Sequence, residues 1–175
     1  MSNKTISDFV RAVDLFMEAP KSLYGIDIPQ WRPGRQDAGE YKLKLPIEVD
    51  GQFSGQFLTI LAYPNEDQQP AFKIFTEYES HCVCRMDYVL DHTHGNNWVE
   101  MREQGLPLEI DGPHWHKWEI NRRAVNASEF PFKLPNAQPI SPYRTFDDAL
   151  RWYCGERNIQ LGAHGIYLPG RTLLI

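Results

Sequence analysis

The strongest constraint on this chain lies between residues 41 and 88. Tyr41, Leu43, Leu45, Ile47 and Val49 alternate with Lys42, Lys44, Pro46 and Glu48. A period of two sends each set of side chains to its own face of an extended strand, so the segment belongs to a sheet covered on one side. Asp50-Gly51 follows as a hairpin signal. Residues 53–63 read as the partner strand, Pro64-Asn65-Glu66-Asp67 as a turn, and residues 72–78 and 82–88 as two further strands joined around Glu79-Ser80. Short connections between successive strands predict an antiparallel meander. Residues 114–120 read as a fifth strand.

Two helices flank this block. Phe9, Val10, Val13, Phe16 and Met17 form one apolar helical face over residues 7–18, with Thr5 and Asp8 at capping-box spacing and Pro20 as the stop. Phe146, Ala149, Leu150 and Tyr153 form a second over residues 146–155, with Thr145 as N-cap, Asp147 and Asp148 at the positive end, and Gly155 as the stop. Residues 20–40, 89–112 and 126–143 are punctuated by Gly and Pro and carry little period. The expectation is one α+β domain over residues 1–175. Its antiparallel sheet has about five strands, with two helices on one face and a long histidine-containing loop.

Composition excludes several classes. Three cysteines are too few and odd in number for a disulfide framework. No apolar run approaches the roughly 18 residues of a membrane span, and the first residues lack the apolar core of a signal peptide. A cytoplasmic protein without membrane contact is the expectation. The net charge of −5 argues against a basic nucleic-acid wrap, while leaving room for a local nucleic-acid site. Residues 48–111 hold 12 acidic and 3 basic side chains, against 5 and 8 in residues 112–175. An acidic surface of this kind suits a protein partner with a basic surface.

Chemistry concentrates in a histidine cluster. Four of six histidines fall in His92-Thr93-His94 and in Gly112-Pro113-His114-Trp115-His116. On a strand, His114 and His116 share a face with Trp118 beyond them, while Arg85 and Asp87 lie on the face opposite to Cys82, Cys84 and Met86. Antiparallel pairing of the two strands would put Arg85, Asp87, His114 and His116 together, with His92, His94, Asn96 and Asn97 folded over them. Two imidazoles and a guanidinium suit metal-free phosphodiester cleavage as base, acid and phosphate anchor, which makes His94, Arg85, Asp87, Asn96, His114 and His116 the catalytic candidates. Alternatively His92, His94, His114, His116 and Asp87 offer ligands for one divalent transition metal. The same groups would also serve simply to hold the loop by hydrogen bonds.

Arg85-x-Asp87, His94-x-Asn96 and Gly112-Pro113-His114-x-His116-x-Trp118 resemble the signature of a family of small uncharacterised prokaryotic proteins with an α+β domain. The resemblance covers about residues 52–160. It implies no activity and only groups those six residues into one site. Three functions are thus expected: a non-catalytic interaction protein, such as an inhibitor or accessory factor of a mobile element; a metal-independent phosphodiesterase or ribonuclease-like enzyme without cofactor; or a His/Asp metal-binding protein.

Overall fold

The structure is a computed structural model that describes residues 3–25, 29–34, 39–63, 71–125, 133–143, 145–162 and 165–169. Chain order runs α1 (Asn3–Glu18), β1 (Lys21–Leu23), β2 (Arg32–Pro33), β3 (Tyr41–Val49), β4 (Gln52–Tyr63), β5 (Ala71–Tyr78), β6 (His81–Tyr88), β7 (Thr93–Gly95), α2 (Trp98–Gln104), β8 (Glu109–Asp111), β9 (His114–His116), α3 (Trp118–Asn121), a 3-10 turn (Arg122–Ala124), β10 (Gln138–Pro139), α4 (Phe146–Glu156) and β11 (Ile159–Gln160).

The meander β3-β4-β5-β6 is antiparallel throughout. The expected sheet of about five antiparallel strands is nevertheless wrong. Nine strands form the main sheet in the order β10-β9-β6-β5-β4-β3-β1-β11, with β2 also on β3, and β7-β8 forms a second, two-stranded sheet. The main sheet is mixed, because β1 and β11 pair in parallel (Lys21 with Ile159). Nor are there two helices among the described residues but four, besides the 3-10 turn. The physical reason is length. β1, β2, β9, β10 and β11 have two or three residues each, too few to print a period of two. Partners far apart in sequence define them.

Alternation in β3 and β4 packs as the sequence demands. Leu43, Leu45, Ile47, Leu58 and Ile60 point into one core with Phe72, Ile74 and Met86. α1 covers that core with Phe9, Val13, Phe16 and Met17, and α4 covers it with Leu150 and Tyr153. Thr145 caps α4, its Oγ1 accepting from Asp148 N at 3.1 Å. α1 ends at Glu18, and Lys21 Nζ donates to the carbonyls of Phe16, Met17 and Ala19 at 2.8, 3.1 and 2.6 Å. A cation there meets the negative end of the helix.

Residues 114–120 are not one strand. β9 stops at His116, and Trp118 begins α3 after Lys117. Trp118 therefore turns away from the histidines, is buried among core residues near Phe9, and donates Nε1 to Asp14 Oδ1 at 2.7 Å. Residues 89–112, expected to lack regular structure, contain β7, α2 and β8. Residues 165–169 carry no regular structure, and residues 170–175 lie outside the described residues. Among the described residues, no helix is long and apolar enough to cross a membrane.

One consequence positions the site. With α1 and α4 on the core face, the outer face of the sheet carries Lys42, Lys44, Lys73, Phe75, Arg85, Asp87, His114 and His116, read along the cross-strand register.

Candidate metal centre

β6 and β9 pair antiparallel with Arg85 opposite His116, Met86 opposite Trp115 and Asp87 opposite His114. Met86 and Trp115 go to the core, so the other four side chains stand together on the outer face. Gly112 makes the approach to β9 sharp. Its φ of 83° lies where an L side chain is strained, and its N–H closes the turn on His92 O at 2.9 Å.

The β7-β8 hairpin folds over these groups. His94 pairs with Ile110 across it. Its ring lies 4.9 Å from that of His114 and 4.7 Å from that of His116, centroid to centroid. The lid is fastened by Asn96, whose Nδ2 donates to Pro107 O at 2.7 Å and Ala137 O at 3.0 Å while Oδ1 accepts from Ala137 N at 2.6 Å. Asn96 thus holds backbone with its whole amide. His92 stays exposed at the rim, its ring 5.9 Å from that of His114.

Hydrogen bonds select the ring nitrogens. His94 Nε2–H donates to Pro135 O at 3.1 Å, and His114 Nδ1–H donates to Gly112 O at 2.8 Å. In the neutral rings the lone pairs then sit on His94 Nδ1 and His114 Nε2. Arg85 Nη2 donates to His116 Nε2 at 3.0 Å, which places the His116 proton on Nδ1. Asp87 Oδ2 lies 3.0 Å from Arg85 Nε and 3.4 Å from Nε2 of both His114 and His116. The Arg85 contact is an ion pair and the two imidazole contacts lie outside hydrogen-bond geometry, so Arg85 Nε and His114 Nε2 have no hydrogen-bond partner.

Five buried side-chain polar atoms lack a hydrogen bond among the described residues. Four belong to this cluster: Arg85 Nε, Asp87 Oδ1, His114 Nε2 and His116 Nδ1. Buried polar groups are almost always paired, so such a concentration in one cluster is unusual. One ligand atom from each of His94, His114 and His116 lies within 4.8 Å of the others. His114 and His116 are fully buried and His94 half-buried.

Electrostatics favour ligands over acid–base partners. Burial pulls the His116 imidazole down to about 4, against the opposing pull of Asp87. Burial also lowers His94. Asp87 is held far below the carboxylate range by His114, His116, Arg85 and Lys73, which together outweigh its burial. At neutral pH the cluster therefore offers neutral His94 and His116 beside a carboxylate. A metal-free phosphodiesterase using these two rings as a pair would need one of them as imidazolium.

The cysteines stay outside this chemistry, though not as the plain strand period predicts. A bulge in β6 pairs Thr76 with Cys84 but Glu77 with Cys82, so the two thiols no longer share a face. Cys84 is fully buried and accepts from Trp115 Nε1 at 3.1 Å. Burial pushes Cys82 up to about 12, so it carries no thiolate at neutral pH.

Reading the sequence alone misses two things here. The fastening of His94 and Asn96 by residues 135–137 has no local signal, because it spans 41 residues. The cations Lys42 and Lys73 read only as the polar side of amphipathic strands, although register aligns them with Asp87. Comparison of the chain with protein-family models, with curated proteins and with solved structures found no match.

Proposed function

We propose that this is a metal-binding protein in which His94, His114 and His116 hold one divalent transition ion beside Asp87. The observation that carries the reading is the convergence of three imidazoles around buried atoms without partners, two of the rings already oriented by N–H bonds to backbone carbonyls. That outer bond is what fixes tautomer and aim in metal-ligating histidines. Zn²⁺, Mn²⁺, Fe²⁺ and Ni²⁺ all accept such nitrogen and carboxylate donors. His92, exposed and outside the cluster of three, is not needed as a ligand. Arg85 is the objection, since a guanidinium repels a dication. Asp87, 3.0 Å from it, cancels that charge locally. On binding, His116 gives up Arg85, whose side chain is 33% exposed and has room to turn outward. The ion would tie the β7-β8 lid to β9.

Elemental analysis of untagged protein, purified without chelator, tests this. A metal-to-protein ratio near one, lost in His114→Ala, is expected. A ratio near zero, with no thermal shift on adding Zn²⁺ or Mn²⁺, removes the metal reading.

A second reading, a non-catalytic interaction protein, is favoured by exposed apolar and acidic residues in the stretch 90–111 that carries the lid. Leu90, Val99 and Leu108 are 43, 63 and 50% exposed. Exposed Asp91, Glu103, Glu109 and Asp111 accompany them. The acidic surface is smaller than the sequence count suggests. Glu77 is buried against Lys44 at 2.7 Å and Asp87 is buried in the histidine cluster. A basic partner would be retained at low salt, released at high salt, and lost in Val99→Asp/Leu108→Asp. Retention unaffected by salt and by that variant counts against it.

A further inference from the structure

The outer sheet face beyond the lid is a groove of about 1380 Å³, lined by β3, β4 and β5 and bordered by Gly25, Pro29, Gln30 and residues 32–34. Small-molecule pockets run to about 300–1,000 Å³. This one is longer than such a ligand needs, and it crosses the strands.

Cross-strand register arranges the sheet face, from the groove to the histidines, in two rows. One runs Arg32, Lys42, Leu61, Lys73, Asp87, His114. The next runs Lys44, Thr59, Phe75, Arg85, His116. Lys44 is already committed, 2.7 Å from Glu77 and 4.0 Å over the Phe57 ring. Among the described residues, Arg32, Lys42 and Lys73 lie within ion-pair distance of no carboxylate. On a chain of net charge −5, three such cations in one groove are a local reversal of sign. Among the described residues, Glu40 is the remaining lining acid, and it accepts from Tyr63 Oη at 2.8 Å. Half-buried aromatic rings stand on the rows beside these cations, Phe75 on one side and Tyr63 on the other with Phe57 one row beyond Phe75, on a face that no helix of the core side covers.

We propose that this groove binds single-stranded nucleic acid, with Lys42 and Lys73 on phosphates and Phe75 as a stacking platform. A row of separated cations with an aromatic ring on the adjoining row of an open sheet is what a chain of phosphates and bases requires. A flat duplex edge would reach the cations but not the ring. An anionic membrane would engage the cations and ignore the geometry. Lys73 is the shared element: it stands opposite Asp87, so a strand lying along the groove would run toward Arg85 and the histidines. The proposal does not depend on a bound metal.

Fluorescence anisotropy with a labelled 12-nucleotide single-stranded RNA, and with DNA of the same sequence, tests it in EDTA at low salt. Working in EDTA separates this site from the metal centre, whose failure would leave the binding intact. Saturable binding is expected, stronger for a single strand than for duplex, and the RNA and DNA arms decide which sugar is preferred. Lys42→Gln/Lys73→Gln should weaken it at least tenfold and flatten the log–log salt slope by about 1.4, at about 0.7 per lost phosphate contact. Phe75→Ala should weaken it about tenfold, with Phe75→Tyr restoring it. Circular dichroism confirms that each variant is folded. No saturable binding at low salt overturns the proposal. So does equal affinity for heparin, an acidic peptide or anionic vesicles combined with indifference to Phe75→Ala, which would reveal a mere patch of charge.

Discussion

Asn96→Ala should loosen the lid that carries His94. Asn96 is 8% exposed, and its three hydrogen bonds connect the hairpin to residue 107 and to Ala137, itself fully buried. Each net bond contributes about 0.5–1.5 kcal/mol, and leaving a buried donor unpaired costs about 1–3 kcal/mol. The variant strands the Ala137 N–H along with the Ala137 carbonyl. A loss of about 3 kcal/mol follows, or about 6–12 °C in Tm for a chain of this size, where 1 kcal/mol shifts Tm by about 2–4 °C. Urea and thermal unfolding followed by circular dichroism, in EDTA, measure it. Asn96→Asp provides the second arm. It keeps an acceptor for Ala137 N but turns a carboxylate toward the Pro107 and Ala137 carbonyls, so it should be no milder than Asn96→Ala. A loss under about 1 kcal/mol, or an Asn96→Asp protein as stable as the parent, would refute the fastening described here.

Two further outcomes are accessible with the same instruments. In chelator-treated protein, stability should rise with pH between about 4 and 6.5: the folded His116 is held at about 4, below its unfolded value, so the unfolded chain binds more protons across that window. The contribution is about 3 kcal/mol, and urea midpoints that are flat from pH 4 to 6.5, or unchanged in slope by His116→Gln, would contradict it. Tyr153→Phe removes a hydroxyl that donates to Cys84 O at 3.0 Å and meets Thr76 Oγ1 at 2.9 Å, all of it buried. It should cost about 2 kcal/mol by urea unfolding, and a neutral result would show that α4 is held to the sheet by its apolar contacts alone.

Local sequence determined what repeats locally. The alternation in residues 41–49 settled which side chains of β3 enter the core, because the pleat has a period of two and half the residues are apolar. Thr145 announced the start of α4, since a hydroxyl that accepts from the third residue on is a local bond. The i, i+2 spacing in Arg85-x-Asp87 and His114-x-His116 put each pair on one face before any partner was known. Tertiary structure alone decided the rest. That the two pairs face each other depends on β9 docking beside β6. The turn of Trp118 into the core depends on β9 ending at His116, and the separation of Cys82 from Cys84 depends on one bulge. The short strands β1 and β11 exist only because residues 138 positions apart meet (159 − 21 = 138). A two-residue strand has too few bonds and too little apolar surface to be specified by its own side chains. Its conformation comes from the partner it pairs with, and long-range pairing leaves no pattern within either segment.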